Sequence, residues 1–129
     1  MKRNMDLIRA ILLYVEEHDD GTKSLAVNAL TLPDEYRTVN ELSFFEHIAL
    51  MKERGLIETD GYLIRRLTWE GHEFLDNSRS PEVWNAAKES AGHLSFGVFG
   101  SVLNHLAIHH GLGLLKSGYE TAQSVMGGL

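Results

Sequence analysis

The chain has no cysteine and only two prolines in 129 residues. Without thiols, disulfide bridges, cysteine-ligated zinc and thiol nucleophiles are all excluded. That lack fits a reducing compartment, and a cytoplasmic location is expected. Positive charge is also scarce: 12 Lys and Arg stand against 18 Asp and Glu, a formal net charge of −6. Polyanions are repelled by such a chain unless its few cations gather on one face. The opening stretch lacks an unbroken apolar run, because Lys2, Arg3, Asp6 and Arg9 interrupt it. No secretory signal is expected there. Low-complexity tracts and internal repeats are missing as well. What remains, 43% apolar and 23% charged residues, suits one globular domain with a buried core and an appendage.

Apolar spacing places the elements. Leu7, Ile8, Ile11, Leu12 and Val15 recur at three and four residues, which predicts a helix over Met5–Glu17. Four carboxylates, Glu16, Glu17, Asp19 and Asp20, oppose the dipole at its end. Ser24–Leu32 alternates and predicts a short strand that pairs with a later ribbon. Pro33-Asp34 stops it, and Asp34–Tyr36 is expected to form one helical turn. Thr38 or Asn40 then caps a helix running to Arg54, with Phe44, Ile48 and Met51 as its core stripe. Gly55 supplies the left-handed stop. Leu56–Thr59 and Tyr62–Leu67 read as two strands folded at Asp60-Gly61, a strong two-residue hairpin signal.

Downstream, Thr68 caps a helix over Trp69–Asn77, with Trp69, Phe74 and Leu75 as apolar surface. Ser80-Pro81 starts another, with Val83, Trp84 and Ala87 facing inward. Leu94–Leu115 contains no Asp, Glu, Lys or Arg, and Gly97 and Ser101 form a small-xxx-small pair. It is long enough to span a bilayer, yet Asn104 and three histidines argue against that. Core packing or self-association into a homodimer through residues 94–115 is expected instead. Phe96, Phe99, Val102, Leu103 and Leu106 are the expected contact face. The division is 1–92 for the main domain and 93–129 for the C-terminal helix and its glycine-rich tail.

Two resemblances follow from these residues. His47-Ile48-Ala49-Leu50-Met51-Lys52-Glu53-Arg54-Gly55-Leu56-Ile57 resembles the recognition-helix exit of winged-helix repressors, where Gly-Leu-Ile closes the helix and opens the wing. The chain is also similar to a bacterial and phage-associated family catalogued as domain of unknown function 2513. Met1 to Arg9 matches its start, with Asn4 where Asp is expected. Leu67-Thr68-Trp69-Glu70-Gly71-His72-Glu73-Phe74-Leu75-Asp76 resembles its most distinctive motif, and Trp84 matches a later tryptophan. The resemblance implies an α+β winged helix with additional C-terminal helices and brings no established activity.

The candidate contact residues follow from that expected fold. Residues just before the histidine of such helices face the major groove; here they are Phe45 and Glu46, followed on the same helix by Ala49 and Lys52. From Asp34 to Gly55 five acids (Asp34, Glu35, Glu41, Glu46, Glu53) outnumber three bases (Arg37, Lys52, Arg54). Cations that can serve DNA are Arg65 and Arg66 on the ribbon and Lys2, Arg3 and Arg9 at the start. Neighbours on a strand point to opposite faces, so one of Arg65 and Arg66 is expected to meet any partner. Three or four phosphate contacts give weak, salt-sensitive binding of double-stranded DNA.

The expected function is a DNA-binding or transcription-associated accessory protein. Its alternative is a protein-interaction module whose acidic helix face meets a basic partner, with exposed Phe45 as anchor. His47 and His72 read as structural histidines, joined as shape-setting residues by Gly55, Asp60, Gly61 and Trp69. His105, His109 and His110 invite a metal, but no carboxylate lies near them and the glutamate of HExxH is missing. Adventitious affinity is the expectation, with no metal site and no cofactor. No nucleophile motif, paired carboxylates or phosphate loop is present, so a non-enzymatic protein is expected.

Overall fold

The computed structural model describes residues 2–127, with side-chain surroundings for residues 2–113. Among these residues are five α-helices and one three-stranded antiparallel sheet, an α+β arrangement. By contact the chain forms two compact units, Met1–Asp76 and Asn77–Leu129.

In the first unit, α1 spans Met5–His18. The Asn4 side chain accepts the Leu7 N–H at 3.0 Å and starts the helix. Asp and Asn cap about equally well, so the departure from the expected Asp at this position leaves the cap intact. Leu7, Ile11, Leu12 and Val15 are fully buried along its inner stripe. At the acidic end, the His18 ring stacks on Tyr14 at 3.9 Å. Asp19 and Asp20 turn their carboxylates onto backbone N–H groups of Gly21, Thr22 and Lys23.

The expected strand over 24–32 is shorter than its alternation suggests. β1 is Leu25–Ala26, and Val27–Ala29 winds into a 3-10 turn. Val27 is buried and its N–H donates to Tyr62 O at 2.9 Å, after which exposed Asn28 and Ala29 turn away. Asn and Ala are weak strand formers, so the ladder ends there. Asp34–Tyr36 forms the expected single turn.

Helix α2 spans Glu41–Arg54, with Asn40 rather than Thr38 as its cap. Gly55 takes φ 79°, and its N–H and that of Leu56 bond back to Lys52 O and Met51 O. This double closure satisfies carbonyls that a helix end otherwise leaves free. β2 (Ile57–Asp60) and β3 (Leu63–Leu67) follow, and the sheet order is β1-β3-β2. The hairpin loop is Gly61-Tyr62, one residue later than expected, since Asp60 pairs with Leu63. Gly61 has φ 60° while Tyr62 keeps a negative φ, the φ pattern of a type II′ turn with glycine first.

α3 (Trp69–Asn77) is joined tightly to the end of α2. The Thr68 N–H donates to Leu56 O at 3.0 Å, and its hydroxyl donates to Gly55 O. The same hydroxyl accepts the Gly71 N–H at 3.0 Å. Trp69, expected to add apolar surface, is 75% exposed. It stands at the first turn of α3, where Gly71, Phe74 and Leu75 take the inner face.

In the second unit, Ser80 caps α4 (Pro81–Ala91). α5 runs from Phe96 to Gly127, with Ser95 accepting the Val98 N–H at 3.2 Å. Trp84 of α4 meets Phe99 of α5 edge-on at 5.5 Å, with Val83, Ala87, Ala91 and Leu103 buried around them. Burying each such large apolar side chain contributes about 1.5–3 kcal/mol. Phe99 and Leu103, expected on a face that packs on the core or on a second copy, are fully buried within the chain itself. Phe96, Val102 and Leu106 are half-buried beside them. Among the described residues no helix is long and apolar enough to cross a membrane.

Candidate functional site

His47 shows how the surface of α2 is held in place. The residue is 1% exposed. Its Nε2 accepts the Asn4 backbone N–H at 2.9 Å, and its Nδ1 lies 2.7 Å from Ser43 O. An acceptor at Nε2 requires the proton on Nδ1, which then donates to the Ser43 carbonyl. The imidazole thus ties the start of α1 to the middle of α2. His72 is exposed, and Thr68 joins α3 to the end of α2 through Gly55 and Gly71.

With His47, Ile48 and Met51 turned inward, Glu46, Ala49, Lys52 and Glu53 form the exposed outer face of α2. Phe45 is half-buried rather than exposed. Its ring sits edge-on to Phe44 at 5.9 Å, and both line a cleft of about 450 Å³. Val27, Leu30, Leu32, Pro33, Tyr36 and Val39 line it as well. The polar lining comprises Asn28, Thr31, Asp34, Arg37 and Glu41. Arg37 is spent on Asp34 at 2.6 Å, which leaves Glu41 as the unmatched charge among the cleft's lining. Sequence reasoning missed this cleft because residues 27–39 read as a failed strand and a proline turn. The size is that of an ordinary ligand pocket.

The ribbon departs from expectation in a way that matters for charge. Glu58 pairs with Arg66 but Thr59 pairs with Ile64, so Arg65 is an extra residue, a β-bulge. A bulge breaks the alternation of faces. Ile64 and Leu67 are both buried, and the two arginines between them are both exposed. Their guanidinium groups converge on one carboxylate: Arg65 Nη1 lies 3.5 Å and Arg66 Nε 2.9 Å from Glu58. Strict alternation would have separated them. Glu58, unremarked in the sequence, therefore cancels one of two charges on the ribbon.

Lys2 and Arg3 are exposed ahead of α1. Arg9 is half-buried and acts electrostatically on the Tyr36 phenol. That phenol is pushed up to about 12, chiefly by burial and further by Glu35 and Asp6. His105 and His109 rings approach to 4.4 Å on exposed faces of α5. Among the described residues no group of three or more His, Cys, Asp or Glu can hold a metal ion.

These elements define an α+β protein whose first unit presents a cleft of mixed polarity, a mainly acidic helix face and a bulged ribbon. The model of the family described as "Hypothetical protein (DUF2513)" matches residues 2–96. An "Uncharacterized protein" of Haemophilus influenzae (strain ATCC 51907 / DSM 11121 / KW20 / Rd) is 40% identical over 96 residues, covering 68% of this chain and 76% of that protein. The chain belongs to this family. No solved structure matches it. The family match ends where α5 begins.

Proposed function

We propose that the Met1–Asp76 unit is a winged helix used as a non-enzymatic protein-binding module. The order of helix, short strand, turn, helix and two-stranded ribbon supports that fold, with α2 in the recognition-helix position and β2–β3 as the wing. Fold alone does not fix function. The observation that carries this reading is the cleft beside α2, where Phe44, Phe45 and other apolar side chains line the same space as Glu41. A partner that seats one aliphatic or aromatic side chain there, next to a Lys or Arg, matches both shape and charge. Phe45 serves as pocket wall rather than as projecting anchor, and Glu46 extends the acidic face.

Peptide display against the full chain tests this reading. Selected peptides are expected to share an apolar residue flanked by Lys or Arg. Binding should be lost in Phe45→Asp and weakened in Glu41→Lys, with circular dichroism unchanged. Peptides indifferent to both substitutions would refute the reading.

A second reading, double-stranded DNA held by the wing, is favoured by the bulge that turns Arg65 and Arg66 the same way. Lys2 and Arg3 supply further phosphate contacts. In that case Glu58→Gln frees the pair and tightens binding to a mixed duplex at low salt, while Arg65→Glu with Arg66→Glu abolishes it. No anisotropy change at micromolar protein in the wild type or in Glu58→Gln would eliminate direct DNA binding.

A further inference from the structure

Two opposite faces of α5 differ in burial. One holds Phe99 and Leu103, both fully buried. The other holds Val98, Ser101, His105, Ile108 and Leu112, all exposed. Val98, Ile108 and Leu112 are 46%, 52% and 57% exposed, high values for large apolar side chains. Their spacing alternates three and four residues, and the sequence continues it through Leu115, Tyr119, Ala122 and Met126. A step of 3.5 residues sustained for about four heptads is the pattern of a seam between two long helices. Covering a globular core requires a broader stripe of period 3.6.

Length and charge narrow what meets this seam. α4 has 11 residues and α5 has 32, so α4 can accompany only about a third of α5 at equal rise per residue. Lys116 and Glu120 are the charged residues between Phe96 and Gly127. Across Asn77–Leu129, three bases (Arg79, Lys88, Lys116) balance three acids (Glu82, Glu89, Glu120). The full −6 therefore resides in Met1–Asp76. The seam calls for a neutral, apolar helix of the same period and comparable length, and another α5 satisfies each of these conditions.

We infer that α5 pairs with α5 of a second copy through Val98, Ser101, His105, Ile108 and Leu112. The contact uses the same patch on both chains and so closes as a dimer. Ser101 at a seam position, with Gly97 one turn before it, permits close approach. The pairing is independent of the cleft and its partner.

Sedimentation velocity on the full chain at micromolar concentration tests the pairing. The wild type should run at twice the chain mass. Val98→Glu with Ile108→Glu should run at the chain mass, with an unchanged far-ultraviolet spectrum because both sites are exposed. Since the chain has no cysteine, Ser101→Cys introduces a single thiol on the seam. It should oxidise to a covalent dimer, whereas Glu89→Cys, exposed on α4, should not. A monomeric wild type, a double variant that stays dimeric, or equal cross-linking of the two thiols would overturn the pairing. A monomer that co-sediments with phosphatidylcholine vesicles would do so too, by assigning the stripe to lipid.

Discussion

Tyr36 lines the cleft, and its surroundings disfavour the charged phenolate. Burial is the main cause, the negative Glu35 and Asp6 add to it, and Arg9 opposes them. The folded phenol titrates at about 12 against an ordinary 10.0. Between those values the unfolded chain gives up a proton that the folded chain keeps, so the proton balance favours unfolding as pH rises. The contribution of Tyr36 is complete below pH 10.0 and is lost as pH climbs through about 12. Urea unfolding of wild type and Tyr36→Phe across this window should give curves that diverge, the wild type losing more stability. Parallel curves would show that the phenol is not held neutral. At the same scale His47 is held by two bonds, one within its own helix and one from far along the chain. Spacing put it beside the core stripe, but only the fold brings the Asn4 N–H, 43 residues away, to its Nε2.

Among the elements, the junction of α3 with the end of α2 tolerates least. A Cβ at Gly71 would stand 2.1 Å from Leu56 O, a backbone atom that is itself held by the Thr68 N–H. Neither side can yield without opening that bond, so Gly71→Ala should cost about 2–3 kcal/mol. Chemical denaturation measures it, and a loss below about 1 kcal/mol would mean that α3 shifts freely. The element boundaries of this unit were largely legible because local chemistry sets them. Asn40, Gly55 and Thr68 each bond within a turn of their own position, apart from the links from Thr68 back to Gly55 and Leu56. The bulge was not legible. It arises where Ile64 and Leu67 both seek the core across an even number of residues, and period-two reading cannot place the extra residue. The cleft was hidden for a related reason, since residues 27–39 hold only two short 3-10 turns and folding alone sets them beside Phe44 and Phe45.

For the whole molecule, the distribution of charge matters more than its sum. The acidic excess lies in Met1–Asp76, and Asn77–Leu129 is neutral. A single salt series therefore separates the interactions by sign and slope. Pairing through α5 should hold nearly constant from low to high salt, because no ionic contact crosses the seam. A basic peptide at the cleft should weaken by screening. A DNA duplex at the wing should weaken more steeply, in proportion to the phosphates neutralised. Sedimentation and anisotropy over the same salt range read these slopes, and dimerisation that falls steeply with salt would contradict a neutral seam. The Thr68 clamp has a separate consequence for the chain as a whole. It holds the exit of α2 and the entry of α3 together whatever lies between them, so the ribbon leaves and returns through one fixed gate. Length added between Asp60 and Gly61 changes how far the ribbon reaches without altering the path of the chain on either side. Reach can thus vary from one relative to another while the frame that presents it stays constant.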